Sequence, residues 1–164
     1  MANTYVKIAT VNGTGSSATL QFTSIPATYT DLVLKLSLSN TSTGGYFELR
    51  FNGATTNLSG RYIQGDGSAV DSSTFQPWGR VNNTAQTANT FASTDVYIPN
   101  YAGSNNKSLS LDTVSENNGT AASAILEAGL WSSSAAITSI EIVAQTTGNF
   151  TTLSTATLYG IKKN

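Results

Sequence analysis

Apolar and polar positions alternate along much of this chain. From Asp31 to Ser39, Leu32, Leu34, Leu36 and Leu38 share one face, while Val33, Lys35, Ser37 and Ser39 share the other. That period of two is the signature of a half-buried strand. It returns in Tyr46 to Asn52, where Phe47, Leu49 and Phe51 alternate with Glu48, Arg50 and Asn52. It returns again with Leu109 and Leu111 in Asn106 to Asp112, and with Ile140 and Ile142 in Ser139 to Ala144. Weaker strand patterns cover Tyr5–Val11, Ala18–Thr23, Arg61–Gln64, Thr94–Ile98, Ser123–Trp131 and Thr155–Lys162.

Clusters of Gly and Asn separate these segments: Asn12 to Gly15, Asn40 to Gly45, Asn52-Gly53, Gly65 to Gly67, Tyr101 to Asn106, Asn117 to Gly119 and Gly148-Asn149. Gly and Asn tolerate positive φ, so these clusters are turn signals, and Asn52-Gly53 and Asn118-Gly119 suit tight hairpins. Gly65 to Phe91 breaks the rhythm and reads as a long excursion holding one or two short strands. The pattern predicts an all-β sandwich of jelly-roll type, eight to ten strands in one domain over residues 1–164. Its core is expected to hold Leu32, Leu34, Leu36, Phe47, Leu49, Phe51, Leu109, Leu111, Ile140 and Ile142.

Composition narrows the chemistry. Of 164 residues, 21 are Ser, 25 Thr, 15 Asn and 14 Gly, and there is no His and no Cys. This removes imidazole relays, thiol nucleophiles, disulfides and thiolate zinc sites. Eight basic against nine acidic residues give a net charge of −1, without the footprint of a nucleic-acid binder. No run of about 20 apolar residues marks a membrane span, and the opening Met-Ala-Asn-Thr-Tyr-Val-Lys has no apolar secretory core. The expectation is a protein that is not an enzyme, has no cofactor or metal, and engages neither nucleic acid nor membrane.

Few side chains stand out as sites. Glu127 falls inside the apolar Ile125–Leu130 stretch and is the one acid expected to have a perturbed pKa, with Lys35 or Arg50 as its expected partner. Glu48, Asp112 and Glu141 are expected on solvent-facing sides of strands. Asp66-Gly67-Ser68 with Asp71 loosely resembles a calcium loop, but a turn capped by its own side chain is the simpler account. Phe75, Trp78, Tyr62, Tyr97, Tyr101 and Trp131 can stack on sugar rings or fill an interface. Trp131 reads as core. Phe75 and Trp78 flank Pro77 in the irregular excursion and, with Tyr101, are the expected contact residues.

Several phrases in order complete the reading: Phe22-Thr-Ser-Ile-Pro-Ala-Thr-Tyr-Thr-Asp-Leu-Val-Leu34, Phe51-Asn-Gly53, Tyr97-Ile-Pro-Asn-Tyr-Ala102, Gly129-Leu-Trp131, Ala136-Ile-Thr-Ser-Ile140 and Ala156-Thr-Leu-Tyr-Gly-Ile161. Over residues 18 to 162 the string resembles a family of virion structural proteins of tailed bacteriophages, prominent among marine and cyanobacterial phages. The resemblance implies a jelly-roll or related sandwich, a homotrimer, and a decoration (cement) protein that binds the major capsid protein on the outer head surface. The alternative it implies is a tail-fibre or receptor-binding subunit that recognises host glycans. The family carries no catalytic motif to transfer.

Overall fold

In a computed structural model, residues 4–75, 78–116, 122–145 and 147–162 are described. All regular structure among them is β. Twelve strands follow in chain order: β1 (Tyr5–Asn12), β2 (Thr19–Phe22), β3 (Asp31–Leu38), β4 (Tyr46–Phe51), β5 (Leu58–Gly65), β6 (Val70–Phe75), β7 (Trp78–Arg80), β8 (Ala92–Pro99), β9 (Lys107–Ser115), β10 (Ser123–Trp131), β11 (Ile140–Ala144) and β12 (Thr155–Ile161). The alternating segments became strands where expected. The count exceeds eight to ten because the Gly65–Phe91 excursion contributes both β6 and β7, as its expected one or two short strands.

The strands form two antiparallel sheets. The larger runs β1-β12-β3-β8-β9-β10-β5-β6 and the smaller β2-β11-β4-β7. The two pack into a sandwich around a shared core to which β2, β3, β4, β8, β9, β10, β11 and β12 all contribute. Every expected core residue is buried there: the β3 leucines, the β4 phenylalanines with Leu49, Leu109, Leu111, Ile140 and Ile142. Period-2 burial is cleanest in β9 and β10, where alternate residues are buried along the strand.

Four strands, β9, β10, β5 and β6, carry the larger sheet past β8. β7, the edge of the smaller sheet, comes up against β8 and β9. Its free backbone is met by polar side chains rather than by another strand: the Arg80 amide donates to Thr113 Oγ1 at 3.2 Å. Thr113 is also hydrogen-bonded to Thr94 at 2.6 Å, both buried. One backbone donor of this sheet edge is thus met by a hydroxyl instead of being left unpaired.

One turn departs from expectation. Asn52 and Gly53 both have positive φ, 53° and 71°, the geometry a tight hairpin turn uses. Yet β4 pairs with β11 and β7, and β5 with β10 and β6, so the turn carries the chain from one sheet to the other. Asn52 is held by the 136–139 segment instead: its Oδ1 accepts from the Thr138 and Ser139 amides at 2.8 and 3.0 Å, and its Nδ2 donates to the Ala136 carbonyl. The expected Asn118-Gly119 turn, and Asn3 ahead of β1, lie outside the described residues.

Candidate functional site

Where the overhanging part of the larger sheet meets the outer face of the smaller one, aromatic side chains converge. On β4 and β7, Tyr46 is opposite Arg80 and Glu48 opposite Trp78, so these four share the face of the sheet away from the core. On β5 and β6, Gly60 is opposite Phe75 and Gln64 opposite Asp71. The result is a cleft of about 270 Å³ lined by Tyr46, Tyr62, Gln64, Phe75 and Trp78.

Trp78 is its centre. Three rings meet the indole edge-on, Tyr46 at 4.7 Å, Tyr62 at 5.2 Å and Phe75 at 5.9 Å between centroids. Edge-to-face contact suits the ring quadrupoles and adds about 0.5–1.5 kcal/mol per pair beyond burial. The Arg80 guanidinium lies 4.5 Å from the Tyr46 ring centre and donates to Gln64 Oε1 at 3.1 Å. Tyr62 points its hydroxyl at Asp71, 3.4 Å away, and burial followed by the Asp71 charge pushes its phenol pKa up.

Of the expected contact residues, two meet here and one does not. Phe75 is 52% exposed and Trp78 only 4%, so Phe75 forms an outer wall and Trp78 the floor. Tyr101 is 0% exposed, a correction to its expected place on a contact surface. Its hydroxyl donates to the Pro26 carbonyl and accepts from the Tyr29 amide, which ties the loop after β8 to the loop between β2 and β3. Pro77 lies outside the described residues. Tyr46 and Gln64 went unnoticed in the sequence because they reach Trp78 from other strands. The faint signal was Arg80, two positions beyond a tryptophan in a segment poor in charge.

Glu127 is the second unusual group. It lies on β10 facing inward, 2% exposed, and neither carboxylate oxygen has a hydrogen-bond partner among the described residues. Its expected partners are engaged elsewhere: Lys35 pairs with Asp95, and Arg50 with Glu48. Burial pushes its pKa from an ordinary 4.5 up to about 8, with the Trp78 backbone amide, outside hydrogen-bonding geometry, pulling weakly the other way. Gly60 makes the room, because a Cβ there would run into Glu127 Oε1. A glycine inside a strand is the sequence mark of such close approach.

The remaining acids are less eventful. Glu48, expected on a solvent face, is buried, and it accepts from Arg50 and from Gln145 Nε2. Asp66 caps its own turn, accepting from the Ser68 and Ala69 amides at 2.8 Å each and from the Ser68 hydroxyl. Those backbone donors hold its carboxyl below the usual range. Trp131 sits in the core 5.8 Å from Phe51.

Compared with known protein families, curated proteins and solved structures, the chain matches none.

Proposed function

We propose that this chain is a virion structural protein of a tailed phage, a decoration protein that sits on the outer head surface as a homotrimer bound to the major capsid protein. The observation that supports this best is the strand order. Leave out the four strands of the overhang that lie beyond β8, and β1-β12-β3-β8 stands against β2-β11-β4-β7. That is the order expected when two Greek keys interlock, so we read the frame as a jelly roll, an architecture used in viral capsid proteins. The ordered phrases from Phe22 to Ile161 point the same way.

In this reading the work is mechanical. A packed head pushes its capsomers apart, and a stiff sandwich bridging neighbours adds contact free energy that opposes separation. Many copies acting together need only modest affinity each. An apolar row on the outer face of the overhang supports self-association: Ile63, Val70, Val114 and Leu126 are all exposed there. Light scattering at micromolar concentration is expected to report three chains. Cryo-electron microscopy of the particle is expected to show density for the chain outside the head; density confined to the tail would overturn the decoration role.

A second reading, a tail-fibre or receptor-binding subunit that recognises host glycans, draws on a different observation, the aromatic cleft around Trp78. Depolymerase activity is not part of either reading, which an assay for new reducing ends on host polysaccharide would check.

A further inference from the structure

We propose that the cleft between β4, β7, β5 and β6 binds a carboxylated sugar ring, a uronic acid or a sugar of similar charge, with Arg80 receiving the carboxylate. The inference does not depend on where a virion would carry the chain, or on the chain belonging to a virion.

The argument begins with donors that lack acceptors. The Trp78 indole nitrogen and Arg80 Nε are both buried without a hydrogen-bond partner among the described residues. An unmet buried donor is unfavourable, and these two lie on alternate residues of β7, the strand that supplies Trp78 to the cleft. Arg80 also has no carboxylate within ion-pair distance among the described residues, since both salt bridges there are made by other groups. It nonetheless touches three of the five lining residues, over the rings of Tyr46 and Trp78 and bonded to Gln64. A cation held in place by stacking and by one neutral amide presents a free charge.

The walls select the rest of the ligand. A pyranose has apolar C–H faces and an equator of hydroxyls that both donate and accept. Tyr46 and Phe75 are exposed rings on either side of Trp78, and they offer faces for the apolar part. The Asp71 carboxylate and the Tyr62 hydroxyl, 3.4 Å apart, offer acceptors; Gln64, directly across the ladder from Asp71, and Arg80 offer donors. The nearby Glu48 charge is held by Arg50 and Gln145, so it does not neutralise Arg80. At about 270 Å³ the cleft takes one ring, at the small end of the roughly 300–1,000 Å³ usual for ligand pockets.

The test is a titration with a galacturonic acid trisaccharide and, in parallel, the neutral galactose trisaccharide. Trp78 reports the cleft by fluorescence, read in a Trp131→Phe background whose fold is checked by circular dichroism. The acidic sugar is expected to saturate the signal at about millimolar concentration and to bind at least tenfold more tightly than the neutral one. Arg80→Gln is expected to erase that preference, and Phe75→Ala, at an exposed position, to weaken both sugars. Equal binding of the two sugars, no saturable binding, or binding unchanged in both variants would overturn the proposal. So would self-association that Phe75→Ala abolishes in the absence of sugar, because the cleft would then be a protein contact.

Discussion

The eight-stranded frame and the overhang of β9, β10, β5 and β6 use the same alternation to opposite ends. In the frame, β3 and β4 turn Leu32, Leu34, Leu36, Phe47, Leu49 and Phe51 inward. Toward β5 and β6, the overhang turns Glu127, Thr113, Ser115 and Ser123 inward, and leaves Leu126 and Ile63 in the open, at 59% and 51% exposure. These two are direct cross-strand partners, so they form one apolar step on the outer surface. The reason lies in what each inner face meets. The frame meets another sheet's apolar face; the overhang meets the edge of β7 and the residues after it, where Thr113 accepts from the Arg80 amide and Ser115 donates to Asn82 Oδ1. Alternation therefore reports that a strand has two different sides, and only the neighbour decides which side is inside.

The comparison can be broken most forcefully in the frame. Leu34→Ala, at a position with no exposure, is expected to cost about 2–5 kcal/mol of unfolding free energy. Denaturant titration measures it, and a cost below about 1 kcal/mol would mean that the frame does not depend on tight packing.

A pH series sharpens the overhang's side of the contrast. Glu127 is protonated in both states below its unfolded pKa near 4.5, so the carboxyl costs nothing there. Between that value and the folded pKa of about 8, the unfolded chain ionises first, so stability falls as pH rises. The fall is expected to reach the order of a few kcal/mol and to level off above the folded pKa. Glu127→Gln is expected to flatten this part of the profile and to leave the variant the more stable protein in alkaline buffer. Wild-type stability that rises through the same window would show that the carboxyl gains a partner on ionising.

The smallest effect is expected on the outer face. Leu126→Ser should change stability by no more than about 0.5 kcal/mol, because its side chain is already largely in water. The same change is expected to reduce self-association measured by light scattering, which separates a contact surface from a packing position.

Much of the core was legible because the strands that build it have one wet face and one dry one. β3, β4, β9 and β11 announced themselves that way, and their inward residues are the core. β6 did not: all six residues from Val70 to Phe75 are exposed, so no alternation was there to read. β7 is three residues long, with Gly79 at its centre packed against the Phe47 ring, and its place follows from pairing with β4 some thirty positions earlier. The cleft was half visible. Phe75 and Trp78 stood out as aromatics near each other in an irregular stretch, while Tyr46 joined them only through that distant pairing. Tyr101 looked similar in the sequence and went the other way, because a loop aromatic can anchor inward as readily as outward. Glu127 was noticed for its apolar neighbours, but the glycine that admits it, Gly60, lies on another strand.

β1 and β12 are adjacent and antiparallel, with Tyr5 beside Ile161 at one end of the ladder and Asn12 beside Thr155 at the other. Tension applied to both ends of the ladder enters at the Thr4–Lys162 hydrogen bond, just outside the Tyr5–Ile161 rung. It opens that ladder one pair of hydrogen bonds at a time, as a zipper opens, instead of loading all of them in shear. Peeling of this kind needs little force at each step. Force applied through the ends would undo the protein gradually from one edge, whereas force delivered across the loops and the sandwich faces would bear on the whole core at once. Stiffness in this molecule is therefore directional, and its strong axis does not run between its ends.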